Sequence, residues 1–187
     1  MTHENQTYTR VDYAGLFLSN QIFDACTFIN CNFTSANLSN AEFIDCIFQD
    51  CNFSLTVMNG ASLKGISFKS CKIQGIDFSA CNDFLLSFSF EKCILDYSNF
   101  YRKKIKNTVF KDCSLREVDF SNADLTAADF SNSDLLRAIF QQSILEKADF
   151  RTARNYSIDL EKNKVKKAAF SSSGIAGLLD KYQLRIE

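Results

Sequence analysis

The chain has 187 residues, 46% hydrophobic and 23% charged, which suits one globular domain and not a disordered segment. A net charge of −1 gives no general attraction to nucleic acid, and no apolar run is long enough to cross a bilayer. The single histidine, His3, lies at a start where fraying is expected, which argues against histidine-based catalysis and most zinc chemistry. The opening stretch MTHENQTYTR has no basic region followed by an apolar run, so no signal peptide is expected. Eight cysteines in such a chain point to a reducing, cytoplasmic setting and free thiols.

Taken in chain order, the first element is a repeat. Tyr8, Tyr13, Leu18, Phe23, Phe28, Phe33, Leu38, Phe43, Phe48, Phe53, Met58, Leu63, Phe68, Ile73 and Phe78 recur every five residues. A period of five fits neither the 3.6 of a helix nor the 2 of a flat strand. It fits a chain that turns a corner every five residues, so that four corners close a square coil. Residues two before each large one are small, as at Cys26, Cys31, Ala36, Ala41, Cys46, Cys51 and Ala61, and form a second inward set.

The register fails within residues 79–90, where two extra residues enter and Phe84, Leu85 and Leu86 leave the grid. A bulge or short loop is expected there, as a tolerated insertion or as a partner-binding loop. The grid resumes at Phe90 and continues through Leu95, Phe100, Ile105, Phe110, Leu115, Phe120, Leu125, Phe130, Leu135, Phe140, Leu145 and Phe150. Phenylalanine alternates with leucine or isoleucine in this run, so rings should stack in two opposite columns, Phe90–Phe110–Phe130–Phe150 and Phe100–Phe120–Phe140. Stacked at the ~4.8 Å spacing of paired strands, about eight coils give a rod roughly 35–40 Å long. Lys103 falls in a small inward slot, which predicts a local bulge or a side chain escaping to solvent.

Residues 152–170 read as a last, irregular coil in which Tyr156 leaves the grid and Leu160, Val165 and Phe170 return to it. The period then changes. Ile175, Leu178, Leu179 and Tyr182 follow helical spacing, with Ser172 or Ser173 as cap, and Leu184 and Ile186 could add a short strand. A helix this short must dock its apolar face, either capping the open coil or crossing to a second subunit.

This grid resembles the pentapeptide-repeat family, whose motif is roughly A(D/N)Lxx; SNADLTAADFSNSDLLRAIF, residues 121–140, reads as four consecutive copies. The resemblance implies an all-β fold, a right-handed quadrilateral β-helix over residues 1–170, followed by a capping or dimerising segment, 171–187. FINCNFTSANLSNAEFIDCIFQDCNFS looks most like the Qnr and MfpA branch, which implies binding to DNA gyrase or topoisomerase IV, protection from quinolones, and an end-to-end homodimer through the C-terminal segment. That branch is thought to mimic DNA with a narrow acidic rod. The long loops of Qnr proteins have no counterpart of that size here.

No catalytic constellation stands out, so no enzyme activity and no cofactor are expected. All eight cysteines occupy the small inward slot, where Cys serves as a small buried hydrophobe, and C-x4-C without histidine is not a zinc spacing. Asn32, Asn37, Asn52, Asp77, Asp119, Asp124, Asp129 and Asp134 each precede a grid residue and should bond backbone groups at the corners. Residues 1–60 contain six acidic residues and one basic, and their Asp24, Glu42, Asp45 and Asp50 are the candidate acidic partner-binding face. Two basic stretches, YRKKIKNTVFK at 101–111 and EKNKVKK at 161–167, read as solvated faces or as sites for an anionic partner. Direct nucleic-acid binding is not expected at this net charge.

Overall fold

The computed structural model describes residues 1–185. Its strands are β1 (Thr2–Glu4), β2 (Thr7–Thr9), β3 (Ile22–Asp24), β4 (Thr27–Ile29), β5 (Glu42–Ile44), β6 (Ile47–Gln49), β7 (Ser62–Lys64), β8 (Ile66–Lys69), β9 (Phe88–Glu91) and β10 (Phe110–Lys111). All pair in parallel, each with the strand one coil on. The first face of the coil carries β1-β3-β5-β7, and the second carries β2-β4-β6-β8-β9-β10. Single parallel bridges continue the pairing on the third face, from Asp12 through Asn32, Asn52, Lys72, Ile94, Ser114 and Asp134 to Arg154. Similar bridges mark the fourth face, as at Asp77–Asn99–Asp119–Ile139. The molecule is a right-handed quadrilateral β-helix with a short C-terminal helical segment. Ile186, expected at the C-terminal junction, lies outside the described residues.

Most corners are closed in the same way. Residues two after the large inward position take left-handed φ, as at Asn30 (54°), Asp50 (55°), Asn122 (59°) and Lys147 (60°). Such a backbone costs a non-glycine residue about 1–2 kcal/mol. The corner N–H groups offset this by bonding the next coil, as in Asn30 N–H to the Gln49 carbonyl (2.9 Å) and Asp50 N–H to the Lys69 carbonyl (2.9 Å). The Asn and Asp residues bond the backbone as their positions require. Asn32 Oδ1 accepts from Thr34 N–H at 3.1 Å, and Asp119 Oδ1 from Ser121 N–H at 2.8 Å.

Inside, Phe28, Phe33, Phe48, Phe53, Phe110, Phe120, Phe130 and Phe140 are buried. One aromatic column runs the length of the rod: Tyr8, Phe28, Phe48, Phe68, Phe90, Phe110, Phe130, Phe150 and Phe170 stack at 4.7–5.3 Å between centroids. On the opposite side Phe78, Phe100, Phe120 and Phe140 stack at 4.6–5.3 Å and meet the first column edge-on, as at Phe110–Phe120 (5.6 Å, 75°). Both ring arrangements are favourable.

The small slot has its own chemistry. Its donors reach the carbonyl of the large residue in the coil before: Ser133 Oγ to Phe110 (2.8 Å), Ser143 Oγ to Phe120 (2.9 Å), Thr56 Oγ1 to Phe33 (2.7 Å) and Cys71 Sγ to Phe48 (3.4 Å). Cys26, Cys31, Cys46 and Cys51 sit in these slots with buried free thiols, as do the other four cysteines. Alanine fills the same slot at Ala36, Ala41, Ala61, Ala123 and Ala128, so the slot requires a small residue, and serine, threonine or cysteine there finds a ready acceptor.

Several expectations change. His3 is not frayed: it occupies the first grid position, stacks on Phe23 at 4.7 Å and bonds Tyr8 Oη at 2.8 Å. Lys103 neither bulges nor escapes to solvent. Its side chain is 4% exposed, and its ammonium donates to the Cys81 carbonyl (2.7 Å) and to Asp83 (2.6 Å). Leu160 points outward, 42% exposed, while Tyr156 and Ile158 fill the last coil in its place. The cap of the C-terminal segment is Ser171, which accepts from Gly174 N–H, not Ser172 or Ser173.

Candidate binding faces

Asp24, Glu42 and Asp45 border the first face; Asp50 does not. Asp24 ends β3, Glu42 begins β5, and Asp45 is the corner between the first and second faces. Asp50 is the corner beyond β6, on the far side of the second face. The four therefore do not form one acidic face, because the five-residue step places residues 45 and 50 on successive corners. Glu42 is also neutralised by an ion pair with Lys64. The exposed carboxylates of Asp45 and Asp50 bracket β6, with Ile47 and Gln49 exposed between them.

The two-residue insertion is absorbed within one coil. Phe68 pairs with Phe90 and Lys72 with Ile94, a step of 22, after which the step returns to 20. The extra residues project from the first face, leaving Phe84 and Leu85 66% and 65% exposed. Lys103 lies beneath and ties the segment down through Cys81 and Asp83, while Lys64 approaches the Phe84 ring at 5.6 Å.

The C-terminal segment folds back on its own rod. Residues Ser172–Gly174 and Asp180–Tyr182 are 3-10 turns flanking the single α-turn α1 (Ala176–Leu179). Ile158 N–H donates to the Gly177 carbonyl at 3.0 Å, and Lys181 bridges Asp159 and Glu161 at 2.8 Å each. Glycine is required at 177, where an added Cβ would meet the Tyr156 carbonyl oxygen at 2.0 Å. Of the residues expected to dimerise, Leu178 packs on the core and Leu179 is half-buried. Ile175, Tyr182 and Leu184 are 47%, 53% and 59% exposed, and Leu184 belongs to no strand.

The two basic stretches both place lysines on the first face. Lys104, Asp124, Ile144 and Lys164 form one ladder of consecutive coils. Sequence reasoning did not join the stretches, although their separation of sixty residues, three coils of twenty, was a signal that could have. The most deeply buried carboxylate, Asp134 (3% exposed), is fully engaged elsewhere. Burial raises its proton affinity, but hydrogen bonds from Asn155 (2.7 Å) and Arg116 (2.8 and 2.9 Å) outweigh that and hold its pKa below the ordinary value. Among the described residues no group of His, Cys, Asp and Glu is arranged to hold a metal ion, and no helix is long and apolar enough to cross a membrane.

A fold of this kind defines a solenoid class built from five-residue units. The family model "Pentapeptide repeat region" matches residues 21–83 and 84–170, and the chain belongs to the pentapeptide-repeat family. Among solved structures it is similar to trypsin-treated M102R QnrB1, a plasmid-mediated fluoroquinolone resistance protein, at 22% identity and TM-score 0.57, over 100% of this chain and 98% of that one. It is also similar to HetL, involved in heterocyst differentiation regulation in the cyanobacterium Nostoc, at 17% identity and TM-score 0.65, over 91% and 88% of the two chains. No curated protein matches the sequence.

Proposed function

We propose that the protein is a cytoplasmic, non-enzymatic modulator of a type II topoisomerase, DNA gyrase or topoisomerase IV, of the quinolone-resistance type. The observation that carries this reading is the flat, strand-built second face of the N-terminal coils, edged by the exposed carboxylates Asp45 and Asp50. A rod edged with negative charge suits the basic groove that a topoisomerase offers to duplex DNA. The end-to-end likeness to QnrB1 supports the same reading. The acting unit is a homodimer in which Ile175, Tyr182 and Leu184 are covered by a second copy.

The test is gyrase supercoiling with and without ciprofloxacin, titrating in the protein. Supercoiling should be restored in the presence of the drug, and Asp45→Lys with Asp50→Lys should abolish the effect. Lys92, Lys147 and Lys167 already occupy left-handed corners, so the two lysines suit the backbone. Neither protection nor inhibition at micromolar protein would remove this reading. The similarity to HetL, with the higher TM-score of the two, favours the second one: a scaffold for another protein partner, presented on the same flat faces.

A further inference from the structure

The C-terminal half of the first face carries Lys104 and Lys106 on one coil and Lys164 and Lys166 on another, three coils away. Lys147 and Lys167 stack at the adjoining corner, with φ of 60° and 61°. All six are exposed. Only Lys106 has an ion-pair partner among the described residues, Asp124 at 3.2 Å; Glu146 is the other carboxylate at the outward positions of these coils, and the neighbouring Asp83 and Glu161 are paired with Lys103 and Lys181. We propose that this half-face binds the phosphate backbone of duplex nucleic acid, independently of base sequence and of any topoisomerase.

Geometry and composition choose the partner. Lysines flanking one inward residue are about 6.6 Å apart along the strand, and the two basic rows are about 14 Å apart along the rod. That makes a rigid, flat, regular array of cations suited to a dense and regular polyanion. Single strands are bound by stacking bases on aromatic rings, and the outward positions of these coils, Lys104, Lys106, Asp124, Thr126, Ile144, Glu146, Lys164 and Lys166, include no aromatic. A protein partner would need an apolar anchor at the centre of its interface; within these four coils the sole apolar outward residue, Ile144, is half-buried, and the exposed Phe84 and Leu85 lie in the coil before Lys104, at the edge of the array and not its centre. The net charge of −1 does not bear on this, because the acidic excess lies in residues 1–60, at the other end of the rod.

Fluorescence anisotropy of a labelled 30-base-pair DNA of arbitrary sequence, with the full chain and no topoisomerase, tests the proposal. Binding should be micromolar or tighter at 50 mM salt and weaken about 100-fold by 200 mM, as neutralising four phosphates requires. K104Q/K147Q/K164Q/K166Q should lose at least tenfold at 50 mM and flatten the salt dependence, with an unchanged melting temperature because all four side chains are exposed. K69Q/K72Q/K92Q, which removes charge elsewhere on the rod, should bind as the parent does. The proposal is overturned by absence of binding at 50 mM salt, or by equal losses in the two variants. Tighter binding of single-stranded DNA, or equal binding of polyglutamate, would overturn it as well.

Discussion

At the residue scale, most inward positions do one job each, and the large hydrophobes were legible because a five-residue period has no competing reading. Phe120 is fully buried, stacks on Phe100 and Phe140 at 5.3 and 5.2 Å, and meets Phe110 and Phe130 edge-on. Phe120→Ala should destabilise the fold by ~3–5 kcal/mol in urea unfolding, since the coils above and below hold the cavity open. The thiols make a second prediction. Burial pushes Cys46 up to about 11 and Cys81 up to about 12, whereas in the unfolded chain a thiol titrates near 8.5. The native state therefore keeps protons that the unfolded state has lost. Stability from these groups is complete below about pH 8.5 and declines as pH rises toward 11–12, so thermal melts in a reducing buffer should show Tm falling through that window. A Tm unchanged up to pH 11 would contradict the burial seen at Cys46 and Cys81.

At the scale of elements, the rows that repeat were legible and the interruptions were not. Lys103 looked misplaced in a small slot because its partners, the Cys81 carbonyl and Asp83, lie in the coil where the register slips. Its ammonium is held, and its charge answered, by the coil that carries the insertion. Lys103→Ala should leave the Cys81 carbonyl without that donor and cost ~1–3 kcal/mol. Hydrogen exchange at residues 84–87 should accelerate while that at Phe28 and Phe48 stays slow; unchanged exchange at the insertion would deny Lys103 its role as a tie. The last coil was misread for a related reason. Leu160 fits the grid in sequence, but the C-terminal segment docks beside it and selects Tyr156 and Ile158 as the inward pair. His3 was missed because a polar ring at the grid's first step does not look like core.

At the scale of the whole molecule, fold and charge layout follow from the same twenty-residue coil. It stacks Lys104 over Lys164 on one ladder, and it also separates Asp45 from Asp50 by one full face. The candidate acidic face was thus legible as charge and not as geometry, since four carboxylates close in sequence turn with the corners. The C-terminal segment both closes the rod and leaves an apolar surface. Deleting residues 174–187 should convert a dimer to a monomer in light scattering, and an unchanged mass would mean that the segment only caps. The central claim, that the acidic end of the rod occupies the DNA groove of a topoisomerase, is tested most directly by displacement. Labelled duplex is bound to gyrase, and the K104Q/K147Q/K164Q/K166Q rod, used so that the rod does not capture the duplex itself, is titrated in. Release of the duplex, and its loss when D45K and D50K are added to the same rod, is the predicted result. Duplex that stays bound at saturating rod would contradict the account.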